Sequence, residues 1–350
     1  MLTERQQAIS RLAADNSPLP AGELFTVRFY QPEDGHGVAR LFYTVYGDGY
    51  PVDTFYIPER LTEENQAGRV RSVVARTDSG KVVCHCALYR SSPPNPKLFE
   101  IGLGLTLPDY RPTLAFARCN QLLLTLPGTD GIDGFFGEAV CNHTTTQKLT
   151  RQTGATETAF EPALMPARAY EAEQSAKGRV GCIMAFRCYV DHLQPLCIPD
   201  CYREQLLFMM DGLELKREAI LPDNRLTSGT TQHETVRFDH AGVARCTIHT
   251  AGDDLAEQLA NLEAELRLKD YALLQCFIPL GTPQAGPATS VLQKSGFFLG
   301  GFLPAWFGCD GILMQKLFID PDFEGLQLHS ERSRQIMEIV RNDWRRSLEG

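Results

Sequence analysis

The sequence predicts an α/β fold arranged as two similar halves. Short apolar runs of strand period alternate along the chain with segments of helical period, each bounded by Gly, Pro, Asn or Asp. The length of 350 residues exceeds one typical domain. Residues 154–163 (GATETAFEPA) also share Gly, Phe, Pro and Ala at identical places with residues 296–305 (GFFLGGFLPA), 142 positions later. The same offset carries the apolar run 99–107 onto 241–249, and Arg111-Pro112 onto Asp253-Asp254. Agreement of three separate segments at one offset points to an internal duplication.

Taken in order, residues 1–20 read as a loosely attached helix that ends at Pro18-Leu19-Pro20. FTVRFY (25–30) alternates as a strand, and a helix follows in which Val38, Leu41, Phe42 and Val45 recur at helical spacing. A short helix opens near Pro58. Residues 71–77 and 81–89 form a hairpin around Asp78-Ser79-Gly80. Three prolines in SSPPNPK exclude regular structure there. A strand covers Ile101 to Leu107, and a helix starts at about Pro112, where proline's missing N–H does no harm. A strand at 135–140 and a helix from the Asn142-His143-Thr144 capping types to Gln152 and Gly154 come next. Further strands are read at ATETAF and 179–189, with an exposed Ala/Glu-rich span at 167–178. The second half repeats the order: helix 198–211, strand-like segments near 215–220, 234–239 and 243–250, helix 253–269, strand 271–280, a helix ending at Lys294-Ser295-Gly296, and two strands. A charged helix occupies the last 25 residues.

Composition narrows the function. With 43% hydrophobic and 22% charged residues the chain is globular. A formal charge of -9 opposes nucleic acid or an anionic membrane as partner. No apolar run is long enough to span a bilayer, and the polar N-terminus lacks the pattern of a signal peptide, so a cytoplasmic protein is expected. The eleven cysteines contain no CxxC pair and sit mostly in apolar runs, as reduced core thiols do. Cys84-His85-Cys86 alternates across a strand, so these three side chains cannot chelate one ion, and no metal is expected.

The stretch 99–124, FEIGLGLTLPDYRPTLAFARCNQLLL, organises the rest. Strand, turn, Arg111 and helix start together suit an anion, because a helix N-terminus offers free amides and a positive dipole end. This stretch, with EAVCNHTTTQKLTRQTGA and the order of elements around it, resembles the Gcn5-related N-acetyltransferase (GNAT) superfamily. YTVYGDGYPVDTFYIPERL, NHTTTQ, ATET and the terminal GFFLGGFLP and CDGILMQKL are similar to a tandem acetyltransferase-like module of bacterial proteins. The resemblance covers roughly residues 25–320. It implies two tandem acyl-CoA N-acyltransferase-like domains, each a mixed, mostly antiparallel sheet flanked by helices. The divisions would be an N-terminal extension at 1–24, a first domain at 25–190, a degenerate second domain at 191–320 and a C-terminal helix at 321–350.

Residue by residue, the resemblance places the backbone of Leu105, Thr106 and Leu107 along the pantetheine of acetyl-CoA, with Arg111, Thr113, Leu114 and Ala115 around the pyrophosphate. Two small-residue positions of the family turn hold Leu114 and Phe116. Glycine serves there by letting the backbone approach phosphate oxygens, and side chains that point inward to the core would leave that approach open. At the equivalent turn the second half carries Gly252-Asp253-Asp254 and no Arg, so two carboxylates would repel a pyrophosphate.

For chemistry, Glu100 stands where several family members place a base, and it also reads as a solvated strand end after Lys97. His143 stands at the helix start beside the thioester cleft, and it also reads as a neighbour of the helix cap. Asn142 is either an N-cap or a partner of the pantetheine amides. The family's thiolate-protonating Tyr is replaced by Thr150, and in the second half by Leu292. Tyr46, Tyr50 and Tyr56 are candidates for the acceptor side or for core. Two functions follow: an acyl-CoA-dependent N-acetyltransferase acting on a small-molecule or protein amine, or a catalytically weak acyl-CoA-sensing module read by a regulatory protein partner.

Overall fold

The computed structural model describes residues 2–50, 52–167 and 178–349. The expected exposed span at 167–178 lies almost wholly outside them. The chain divides into two compact units, one of residues 1–91 and 99–135, the other of 92–98 and 136–350.

The first unit runs α1 (Glu4–Ala14), β1 (Phe25–Phe29), α2 (Gly35–Tyr46), α3 (Pro58–Gln66), β2 (Val70–Thr77), β3 (Val82–Tyr89), β4 (Leu98–Thr106) and α4 (Ala115–Leu123). Its strands pair antiparallel in the order β1-β2-β3-β4. Gly80, at φ +85, closes the hairpin read from Asp78-Ser79-Gly80. Strand alternation sorts the helices between the two faces of this sheet. His85 of β3 meets the rings of Phe42 on α2 and Phe55, whereas Cys84 and Cys86 point to the opposite face, where Cys119 of α4 lies.

Two expectations change here. α1 begins with a capping box between Thr3 and Gln6 and is not loosely attached. Its Arg5 donates to Asp53 and to the carbonyls of Asp48 and Tyr50, each at 2.7 Å, while covering the ring of Tyr56. The helix expected from Pro112 begins at Ala115 instead. A short 3-10 turn at Pro108–Tyr110 uses the proline, and Thr113 then folds its hydroxyl between the Tyr110 carbonyl and the Ala115 amide.

The second unit runs β5 (Gly134–Val140), α5 (Thr145–Gln152), β6 (Thr156–Met165), β7 (Val180–Cys188), β8 (Gln194–Leu196), α6 (Arg203–Met210), β9 (Arg217–Ala219), β10 (Gln232–Phe238), β11 (Val243–Thr250), α7 (Leu255–Leu268), β12 (Leu273–Pro279), α8 (Ala285–Lys294), β13 (Phe298–Leu303), β14 (Gly311–Leu317) and α9 (Glu331–Leu348). Its main sheet follows the order β5-β7-β6-β13-β14-β12-β11-β10. The three strands β5-β7-β6 are thus mirrored by β13-β14-β12. The residues at the common offset agree in backbone as well. Gly154 and Gly296 hold φ +79 and +80, and Ala163 and Ala305 hold φ +53 and +52, a region that alanine seldom enters.

The two triplets meet at a single close crossing, Gly301 against Ala159. Gly301 sits at φ +152, and a Cβ there would fall 2.3 Å from the Cβ of Ala159 and 2.5 Å from the carbonyl oxygen of Thr158. Around this seam Trp306 stacks on Phe277 at 4.9 Å and leans on Phe136 at 5.2 Å. A buried Arg245 is satisfied by Glu138, Glu161, Gln275 and Ser92. Gly301→Ala is therefore expected to destabilise the protein by about 1–3 kcal/mol or more, since the obstruction is backbone that cannot step aside. Denaturant unfolding of the variant beside the native chain measures this, and an unchanged midpoint would contradict the crossing as described.

Candidate functional site

The first unit places Glu100, Leu105, Thr106, Leu107, Arg111, Thr113, Leu114 and Ala115 along β4 and the turn after it. The strand carries a bulge. His85 pairs with Leu105 and Ala87 with Gly102, so Leu103 and Gly104 together oppose Cys86. Leu103 adopts φ +56 and turns its carbonyl out of the ladder. That carbonyl accepts from His85 Nδ1 at 2.9 Å, and His85 Nε2 accepts in turn from the Ser72 hydroxyl at 3.0 Å. A carbonyl only accepts, so Nδ1 carries a proton, and the ring is neutral because burial disfavours its charged form. Burial of the ring lowers its pKa to about 4. No sequence argument had given His85 a part in the site. The signal was a histidine in an otherwise apolar strand, which needs a polar partner when buried.

Below the bulge the strand runs into the turn. The backbone of Leu105 and Thr106 is paired with β3, and the Leu107 amide donates to Val83 at 2.9 Å. Arg111 is exposed and lies 3.5 Å from the Thr106 carbonyl. The first-turn amides of α4 have no carbonyl one turn back inside the helix, although Thr113 already occupies that of Ala115. The Phe116 and Ala117 amides and the exposed Arg111 lie at this helix start. Leu114 does not point to the core: it is 61% exposed. Phe116 swings over the strand instead, so that a Cβ on Gly104 would lie 2.6 Å from its ring. The edge of this ring thus approaches β4 at the bulge, while Gly104 itself stays exposed.

At the start of β4, Glu100 accepts a hydrogen bond from Tyr89, its partner across the ladder. Burial raises the phenol pKa of nearby Tyr50, and Tyr46 and the Glu100 carboxylate add to that rise. The solvated-strand-end alternative for Glu100 thus gives way to a half-buried carboxylate among tyrosines.

The second unit places Asn142 and His143 at the start of α5. Asn142 is buried. His143 Nδ1 accepts from the Thr145 amide at 3.3 Å, which is the capping-neighbour arrangement. Gln147 ties this turn to the later chain, donating to Val140, His143 and Gln327 and accepting from the His329 amide. Thr150 donates to Thr146 of its own helix at 2.9 Å, so it offers no proton to a thiolate. At the other turn, Gly252 is covered by the chain itself. A Cβ there would lie 2.0 Å from the Gly229 carbonyl, Thr231 accepts from the Gly252 amide, and Asp254 accepts from the Thr231 amide at 2.7 Å.

Among the described residues no cluster of His, Cys, Asp and Glu could hold a metal ion, and no helix is long and apolar enough to cross a membrane. All eleven cysteines are free thiols, and only Cys201 is exposed.

No family model matches the sequence, and no curated protein matches it. Solved structures similar to part of the chain are acetyltransferases. A Salmonella typhimurium protein assigned as an acetyltransferase, solved with its cofactor acetyl-CoA, is 14% identical with a TM-score of 0.39, covering 48% of this chain and 96% of its own. An N-acetyltransferase from Staphylococcus aureus is 12% identical at TM-score 0.38, covering 48% and 99%. The ribosomal-protein-S5-alanine acetyltransferase of Vibrio fischeri is 10% identical at TM-score 0.37, covering 48% and 94%. At such scores the chemistry has to be argued from this chain's own residues.

The buried imidazole makes stability depend on pH. Unfolded His85 protonates below its ordinary 6.5, whereas the folded ring resists until about 4. Its contribution is complete above pH 6.5 and is lost as pH falls towards 4, by on the order of 3 kcal/mol. Unfolding free energies measured from pH 7 to 4 should fall less steeply in His85→Gln, which keeps a donor for Leu103. Parallel profiles would contradict the neutral ring.

Proposed function

We propose that the chain is an acyl-CoA-dependent N-acetyltransferase built from two tandem acetyltransferase-like halves, with its acyl-CoA site on the β4–α4 segment. The observation that carries this is the bulged β4 leading through a short turn to an exposed Arg111 and the start of α4, where Thr113 engages only the Ala115 amide. A bulge re-aims backbone groups away from the ladder, and a helix N-terminus with a cation beside it suits a pyrophosphate. The mirrored order β5-β7-β6 and β13-β14-β12, and the paired backbone angles at Ala163 and Ala305, support the duplication. In the second half the covered Gly252 and the engaged Asp254 favour a structural part over a second ligand site.

Transfer is direct. Glu100 takes a proton from the acceptor ammonium, and the neutral amine attacks the thioester carbonyl. The C–N bond forms as the C–S bond breaks; the nitrogen then sheds its second proton, which solvent carries to the leaving thiolate, so that amide and thiol are the products. His143 is also tested by substitution, its Nδ1 being engaged by the Thr145 amide. The acyl-CoA-sensing reading is favoured by Phe116 over Gly104, which crowds the strand where a pantetheine arm would run.

Calorimetric titration with acetyl-CoA tests the site. Binding is expected, weakened roughly tenfold or more in Arg111→Glu by reversal of a charge beside the phosphates. No binding at millimolar ligand would defeat both readings. Where binding holds, thiol release with a panel of amines separates enzyme from sensor. Glu100→Gln should then lower kcat by roughly 100-fold or more, as expected for loss of a general base. Unchanged turnover in both Glu100→Gln and His143→Ala would reject the proton-transfer assignments.

A further inference from the structure

Near the edge of the second unit's main sheet, three side chains stand in one rung on the face packed against α7 and α8. Thr235 of β10 is the partner of Cys246 on β11, and Cys246 is the partner of Cys276 on β12. His233 lies two residues before Thr235, so its ring falls on the same face. Thr235 Oγ1 and His233 Nδ1 are 3.4 Å apart. Both thiols are buried, whereas His233 is exposed on the edge strand.

Neighbouring strands run about 4.8 Å apart, and a disulfide joins residues whose α-carbons are about 4.4–6.8 Å apart. Two cysteines in register on adjoining strands, with both thiols on one face, already stand within that span. The two sulfurs are not equivalent. Hydrogen bonds from the Cys276 thiol, then from His233 and Thr235, hold Cys246 below the usual thiol range despite its burial. Burial pushes Cys276 up, and the Cys246 sulfur raises His233 in turn. Thiolate and imidazolium therefore support each other. Burial alone has the opposite effect, pushing up the thiols of Cys141 and Cys182. Cys84 and Cys119 also meet, but the imidazole beside Cys84 points to the other face of its strand.

The next residues along this face, Ile248 and Ile278, line a cavity of about 220 Å³ with Ala285 and Ala288 of α8. The exposed His249 and Thr250 line it as well, so it opens to solvent one rung from the thiol pair.

We propose that Cys246 and Cys276 are a peroxide-reactive dithiol, a modification site that closes to a disulfide between β11 and β12. The site goes beyond the acyltransferase reading and stands without it. The Cys246 thiolate attacks hydrogen peroxide, and an S–O bond forms as the O–O bond breaks. The departing hydroxide takes the His233 proton and leaves as water. The Cys276 thiol then attacks the sulfenic sulfur, and its proton goes to the second hydroxide as the S–O bond breaks. Two thiols become one disulfide, and the peroxide is reduced to two molecules of water.

The full chain is treated with hydrogen peroxide, alkylated under denaturing conditions and digested with trypsin without reductant. Residues 246–267 and 270–294 form tryptic peptides with one cysteine each, so their linked product identifies the bond. It should dominate the linked peptides and disappear with dithiothreitol. Cys276→Ser should instead leave a sulfenic acid at Cys246 that dimedone captures, and Cys246→Ser should give neither product. His233→Gln, at an exposed position, should slow the link roughly tenfold or more by removing the thiolate's partner and the first proton donor. Absence of the link in the native chain, a Cys84–Cys119 link in equal yield, or an unchanged rate in His233→Gln would each overturn the proposal.

Discussion

The carbonyl of Leu103 is the group on which the first unit depends. Once β4 bulges, this oxygen leaves the ladder inside the protein, and an orphaned buried acceptor costs about 1–3 kcal/mol. A neutral His85 meets it, and Ser72 fixes the tautomer from the far side of the ring. Asn65 positions Ser72, taking the Ser72 amide at 2.9 Å. The ring is enclosed by Phe42 and Phe55, which carry the loop of Tyr46 and Tyr50. On the other face of the sheet the Phe116 ring of α4 comes to Gly104. The helix on one face and the His85 ring on the other thus both meet β4 at its bulge.

The duplicated pattern explains why similar backbone ends in different surfaces. At Gly154 and Gly296, and at Ala163 and Ala305, the angles agree closely, because these residues turn the chain around packed strands. The turns at Arg111 and at Gly252 bear no such packing duty and are free to diverge. One keeps an exposed cation and an exposed Leu114. The other is closed by residues 227–231, whose amides at Gly229 and Thr231 are taken by Asp253 and Asp254. The acid pair that reads in the sequence as repulsion towards an anion acts in the fold as a fastening for the chain's own loop.

Period and punctuation made most elements legible. The Asp78-Ser79-Gly80 hairpin, the helix at Pro58 and the strand of 179–189 follow from local chemistry that no tertiary contact overrides. What was not legible depended on particular hydrogen bonds and packing that period does not announce. Pro112 is an acceptable helix start by itself, but Thr113 caps Ala115, and the helix waits for it. Leu114 and Phe116 are interchangeable as apolar residues. Only the space above Gly104 decides that one is held and the other left in solvent. His85 was weighed as a metal ligand with its flanking thiols, and alternation correctly set them apart. Its true partner is a carbonyl exposed by a bulge that no spacing rule announces.

The same contrast bears on whether the site turns over. Bulk at Leu114 does not close the turn, because the side chain leaves the backbone amides uncovered as it extends into solvent. Bulk at Phe116 is different in kind, since the ring occupies space directly over Gly104. The ring is half-buried, and the glycine beneath its edge stays exposed. Thr150 stands in the second unit, and its hydroxyl donates to Thr146 within its own helix. What the first unit offers by itself is an exposed cation beside a helix start.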